Sequence, residues 1–171
     1  MKILDATCGE KGIWFQKNHP FVTFMDIRKG KYYHVTKNGK KTVFEINPDV
    51  VSEWKDCPFP DNHFDMIIFD PPHIIRGKNW NEENCKFAKE YGRLYSENWE
   101  QTLKEGINKL FRVLKTEGVF ILKWCEQSRN IKKVIKLFPY KPLFGTQTGQ
   151  KTKTYWICFI KYGLNKKLEM K

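Results

Sequence analysis

Two stretches of this sequence hold residue types at spacings that suit chemistry. The first, Ile3-Leu4-Asp5-Ala6-Thr7-Cys8-Gly9-Glu10-Lys11-Gly12, is a short apolar run that breaks into a glycine turn. Glycine lets a backbone approach a ligand closely, and a helix starting after such a turn offers free amides to an anionic group. About twenty residues on, at the separation found in dinucleotide sites, Asp26 ends the next apolar run, where a carboxylate accepts hydrogen bonds from vicinal ribose hydroxyls. Taken alone, the turn is equally a device of shape and Asp26 a cap. The second stretch is Asp70-Pro71-Pro72-His73, an acid and an imidazole joined by two ring-locked residues. The alternative for it is a strand terminator with a satisfied histidine. His19, His34, His63 and His73 share no ligand spacing with the cysteines, so no metal site is expected.

Such residues need elements to hold them. Short apolar runs alternate with helical patterns, the rhythm of an α/β protein with a largely parallel sheet. Strands are expected over residues 1–5, over 21–25 ending at Asp26, and over 66–69 ending at Asp70. Met66–Phe69 is wholly apolar, as a strand covered on both faces should be. A helix is expected over 11–17. Residues 31–36 and 41–46 flank Asn38-Gly39, the pair that suits a two-residue hairpin turn because both positions tolerate positive φ. Trp99, Leu103, Ile107, Leu110, Phe111 and Leu114 share one helical face, with Ser96 as its cap and Gly118 as its stop. A strand follows over 119–124, a short helix carries Ile131, Val134, Ile135 and Phe138, and closing strands cover 143–144 and 155–160. The polar stretch from Arg76 to Tyr95 has the composition of a loop. Without repeats or linkers, residues 1–171 are expected to form one domain.

Taken together, Asp5-Ala6-Thr7-Cys8-Gly9, Asp26, the run from Asp56 to Asp65, and Asp70-Pro71-Pro72-His73 resemble the successive motifs of class I S-adenosylmethionine-dependent methyltransferases. The resemblance covers roughly residues 3–124. It implies a Rossmann-like fold: a mostly parallel seven-stranded sheet with an antiparallel last strand and helices on both faces, here with an inserted hairpin. It implies S-adenosylmethionine as cofactor and S-adenosylhomocysteine as product. Asp5, Ala6, Thr7, Cys8 and Gly9 would hold the methionine part, Asp26 and Ile27 the ribose, and Glu53 and Trp54 would lie beside the adenine, with Asp70 at the methyl end. The turn departs from the family in lacking its closely spaced glycine pair, which leaves the contacts of the cofactor's carboxylate open.

Asp70-Pro71-Pro72-His73 further resembles the Asp/Asn-Pro-Pro-aromatic signature of enzymes that methylate exocyclic amines of nucleobases. An aromatic amine is a poor nucleophile because its lone pair is delocalised, so a site must aim that lone pair at the methyl group. The Asp70 carboxylate and the Pro71 carbonyl each accept one N–H, and Pro71 and Pro72 fix both acceptors in advance. The fourth position normally stacks on an extruded base. Here it is His73, smaller and titratable. Arg76 and Lys78, just beyond, are candidates for a substrate phosphate, and Trp124 for lining the target pocket or joining the core. Asp65 reads as a cap.

The formal charge is +12 over 171 residues. Between Asp26 and Glu45 no acid occurs, while Arg28, Lys29, Lys31, Lys37, Lys40 and Lys41 are all basic. Further basic stretches hold Lys132, Lys133, Lys136 and Lys141, then Lys151, Lys153 and Lys161. Phosphate attraction makes DNA or RNA the expected partner, solvated lysine faces being the alternative. No apolar run nears the ~20 residues needed to cross a bilayer. No signal peptide pattern opens the chain, so a cytoplasmic, intracellular protein with no membrane partner is expected. Five cysteines without a CxxC pair read as reduced thiols. At 171 residues, no separate target-recognition domain like that of sequence-specific DNA methylases is expected. That resembles the stand-alone methylases of phages and leaves selectivity to the hairpin, the loop, a partner subunit or a homodimer. Adenine N6 is the first expectation. The competing readings are methylation of a protein amide or small molecule, and an inert nucleic-acid-binding subunit.

Overall fold

The structure is a computed structural model and describes residues 1–35, 38, 39, 41–80, 88 and 92–163. Its centre is a seven-stranded sheet built from β1 (Ile3–Asp5), β2 (Val22–Asp26), β5 (Val50–Val51), β6 (Phe64–Phe69), β9 (Leu114–Cys125), β10 (Phe144–Thr148) and β11 (Thr154–Ile160). The spatial order is β10-β11-β9-β6-β1-β2-β5. All pairings from β5 across to β9 are parallel, and β11 runs antiparallel to both its neighbours. The chain thus leaves β1 outward on one side and returns to β6 on the other.

The two faces of the sheet differ. Alternation along the strands sends Leu4, Met25, Ile67, Phe69, Phe120, Leu122 and Phe159 to one face, all buried in the main core. Helix α1 (Trp99–Val113) lays Leu103, Ile107, Leu110 and Phe111 there, and α2 (Ile131–Ile135) adds Ile131 and Val134. Full burial of such side chains stabilises by about 1.5–3 kcal/mol each. Phe111 stacks on Phe120 at 4.7 Å and Phe138 on Phe159 at 4.2 Å. The opposite face carries a smaller cluster of Ile3, Cys8, Val22 and Phe24, with Met66 and Ile68 only partly covered. Of the expected helices on both faces, the two among the described residues share the main core. The helix expected over 11–17 is a series of turns: Gly12 weakens a helix there, and the Trp14 indole is drawn back onto Asp5 and packs edge-on against Phe24.

Other expectations shift for local reasons. The hairpin forms from β3 (Gly30–Val35) and β4 (Lys41–Ile46) as a separate two-stranded sheet, but Val35 pairs with Lys41. A two-residue turn at Asn38-Gly39 would have set Val35 against Thr42, so the register is offset by one residue from that expected. Thr36, Lys37 and Lys40 lie outside the described residues. Ser96 does not cap α1: Asn98 occupies that position, and the Ser96 hydroxyl bonds Glu97. Gly118 does not stop the helix, which passes straight into β9 at Leu114; Gly118 lies inside that strand, after Glu117 at φ 64°. Within the Arg76–Tyr95 stretch, β7 (Ile75–Arg76) pairs in parallel with β8 (Leu94–Tyr95), so its ends are ordered; residues 81–87 and 89–91 lie outside the described residues. No helix among the described residues is long and apolar enough to cross a membrane.

Candidate active site

Because the chain leaves β1 and β6 in opposite directions, a crevice opens at their carboxyl ends, the place where open α/β sheets bind ligands. A cleft of about 600 Å³ fills it. Asp5, Ala6, Thr7, Cys8 and Gly9 line it from the β1 turn, Asp26 and Ile27 from the end of β2, and Asp70 and Pro72 from the end of β6. Glu53 and Trp54 line it from a 3-10 turn over Trp54–Asp56. The residues that the sequence offered for the cofactor therefore line one cleft.

The β1 turn is held by backbone bonds from Ala6 N to Ile68 O and from Cys8 N to Met25 O, each 2.9 Å. Gly9 adopts φ 50°, which its missing side chain permits, and no atom lies within 4 Å of where a Cβ would stand on Gly9 or Gly12. The backbone is thus open to a ligand, although no helix N-terminus stands behind it. Asp5 accepts from the Trp14 indole N–H at 2.7 Å and from the Thr7 amide at 3.2 Å. Burial raises its pKa to about 6, against the lowering effect of those hydrogen bonds and with help from the charges of Asp70 and Asp26.

Asp26 is 4% exposed. Its Oδ2 accepts from the Gly9 amide at 2.9 Å, and the Arg28 guanidinium grips both carboxylate oxygens at 3.0 and 3.2 Å. Arg28 also lines the cleft, so a diol reaching Asp26 must displace or share it. Trp54 buries its ring edge-on against Phe69 at 5.2 Å, and Glu53 pairs with Lys55 at 3.1 Å.

Asp70 donates its backbone N–H to the Thr7 hydroxyl at 2.9 Å, and its Oδ2 accepts from Lys123 Nζ at 2.5 Å. Pro71 and His73 do not line the cleft. Burial, assisted by the Lys123 charge, lowers the His73 pKa, against the raising effects of Asp70 and a hydrogen bond with Gln127. Arg76 and Lys78 also stand outside the lining. Arg76 donates to its neighbour's carbonyl, Ile75 O, at 2.9 Å, and lies over the Trp80 ring; the Lys78 amide bonds Glu97. Trp124 is fully buried with its indole N–H on Arg129 O at 2.9 Å, so it belongs to the core and not to the pocket. Asp65 is structural, taking the Lys2 amide at 2.6 Å and Lys115 Nζ at 2.7 Å.

Sequence reasoning missed Lys123, Arg93, Tyr95 and Asn98, all of which line the cleft. Lys123 left a signal: it is the one charge in the apolar run from Val119 to Trp124, and a charge in such a strand needs a partner. Arg93, Tyr95 and Asn98 arrive through β8 and the turn after it, which no local pattern announces.

No protein-family model matches this chain, and no curated protein matches it by sequence. Solved structures do. A structure described as a SAM-dependent methyltransferase from Methanosarcina mazei is 13% identical, with a TM-score of 0.55 over 94% of this chain and 92% of that one. The 1,6-didemethyltoxoflavin-N1-methyltransferase of Burkholderia thailandensis, with 1,6-didemethyltoxoflavin and S-adenosylhomocysteine bound, is 10% identical, with a TM-score of 0.52 over 94% of this chain and 71% of that one. The [4+2]-cyclase SpnF matches at 10% identity and a TM-score of 0.53, over 94% and 74%. At these identities the likeness is one of fold, and the fold hosts more than one reaction.

Proposed function

We propose that this chain is an S-adenosylmethionine-dependent methyltransferase acting on the exocyclic amine of a nucleobase in DNA or RNA, with adenine N6 the first candidate. The observation that carries this reading is that Asp26, the open glycine turn and Asp70 face one cleft at the switch point of the sheet. Methyltransferase structures among the fold neighbours support the cofactor, one of them with S-adenosylhomocysteine bound.

The donor set fits that cofactor. Asp26 offers a carboxylate to a diol once Arg28 shares it, Gly9 leaves room for backbone contact, and Glu53 and Trp54 line the same cleft. When bound, S-adenosylmethionine supplies a methyl group on a sulfonium centre. Asp70 would accept one N–H of the amine and so aim its lone pair at that methyl group, and would take the proton the nitrogen releases and pass it to water. The exposed lysines Lys29, Lys31, Lys41, Lys132 and Lys133 support a polyanionic partner.

The test is incubation with labelled cofactor and a panel of DNA, RNA, peptide and small-molecule acceptors, with mass spectrometry of the digested products. Label is expected on a base amine, and Asp70→Ala is expected to lower kcat by about 10²- to 10⁴-fold with cofactor affinity nearly unchanged. Label on peptide alone, or full turnover by Asp70→Ala, refutes the reading.

A further inference from the structure

Lys123 lies on β9 beside the end of β6, and its ammonium is held between two partners. Its Nζ meets Asp70 Oδ2 at 2.5 Å and stands 5.9 Å above the ring of Trp156, the residue paired with it on β11. Neither partner is sealed: the Lys123 and Asp70 side chains keep 27% and 20% of their surface, and both line the cleft. The cleft is therefore offered an acceptor and a donor side by side. Their 2.5 Å separation is close to that of the oxygen and nitrogen of a carboxamide, about 2.3 Å by standard bond lengths. Asparagine and glutamine use that spacing to read an adenine edge, an amine beside a ring nitrogen.

Resting on the nucleobase reading above, we infer that Lys123 with Asp70 reads the amine-plus-ring-nitrogen edge of adenine or cytosine and disfavours guanine. Asp70 accepts an N–H of the amine while Lys123 donates to the lone pair of the neighbouring ring nitrogen. On its Watson–Crick side the guanine amine meets N1–H, which sets donor against donor at Lys123; its one flanking lone pair, on N3, lies on the side of the glycosidic N9, where the sugar crowds the approach. Thymine and uracil present no amine. Lys123 is thus a specificity and positioning residue: by docking the ring nitrogen it fixes the rotation of the base about the amine, and with it the direction of the lone pair.

The test pairs changes in the protein with changes in the base. The probes are single-stranded oligonucleotides carrying one adenine, cytosine or guanine in a thymine background. For the preferred base, an analogue has C–H in place of the ring nitrogen beside the amine. Wild type is expected to methylate adenine or cytosine and not guanine. Lys123→Met is expected to lose about 10- to 100-fold in kcat/KM, the range of one bidentate base contact, with cofactor affinity within two-fold of wild type as proof of folding. Lys123→Gln, which keeps a donor, should recover much of the loss. Wild type should lose as much on the C–H analogue, and Lys123→Met with the analogue should be no worse than either change alone. Multiplied losses, or guanine methylated as readily, overturn the assignment of Lys123 and leave the nucleobase reading standing. Failure of wild type on every base, or methylation of a carboxamide peptide only, overturns both.

Discussion

The backbone amide of Asp70 donates to the hydroxyl of Thr7 at 2.9 Å, tying the loops that leave the neighbouring strands β6 and β1 to one another beside the cleft that both residues line. The bond spans 63 positions of sequence and sits between the acid proposed to hold the amine and the turn proposed to hold the cofactor. Misplacing reactants by about 1 Å can cost as much as 10²-fold in rate. Thr7→Val keeps the shape and removes the acceptor. It is expected to lower kcat about ten-fold and stability by about 1 kcal/mol, while Thr7→Ser stays near wild type. Turnover and urea melts of the three proteins check this; a Val variant equal to wild type in both shows that the tie positions nothing.

Trp54 and Gly106 are a second coupled pair. A Cβ added at Gly106 would stand 1.9 Å from Trp54 Cε3, so the indole occupies the space that the glycine leaves on α1. A glycine inside a helix costs about 1 kcal/mol relative to alanine, yet here alanine must push the ring away. Gly106→Ala is therefore expected to destabilise by about 1–3 kcal/mol, the range for overpacking, and to weaken S-adenosylmethionine binding because Trp54 lines the cleft. Denaturation and calorimetric titration measure both. Stabilisation by the helix-propensity increment alone would show that Trp54 moves freely.

What the sequence made legible is what local chemistry decides. The apolar runs ending at Asp26 and Asp70 are strands, Asn38-Gly39 lies between two paired strands, and the face carrying Leu103, Ile107 and Leu110 is buried. What it hid was set by distant partners. The 11–17 segment is not a helix, with Trp14 reaching back to Asp5, and Ser96 loses the cap position to Asn98 because α1 begins where Trp99 can bury. Lys161, read as part of a basic surface, instead donates to Phe111 O at 2.8 Å and Leu114 O at 2.5 Å, capping the end of α1 from the last strand; its burial lowers its pKa. Lys123 found its meaning only when β9 was set beside β6.

Asp5 makes stability depend on pH in a direction opposite to that of a salt-bridged acid. Its folded pKa of about 6 lies above the ordinary 3.8, so between those values the folded protein holds a proton that the unfolded chain has released. Its contribution is therefore most favourable below about pH 4 and declines as pH rises to about 6, by roughly 3 kcal/mol for a shift of about two units. Asp65 runs the other way: Lys115 and the Lys2 amide lower its pKa, so its stabilisation is present at neutral pH and is lost on acidification below 3.8. Comparison with Asp5→Asn separates the two, because Asp65 is common to both proteins. The stability of the variant minus that of wild type should grow by roughly 3 kcal/mol between pH 4 and pH 7 and be flat above it. Urea melts across that range decide the matter. A difference that does not change with pH would mean that Asp5 titrates alike in the folded and unfolded chain, and that its burial beside Trp14 does not hold a proton on it.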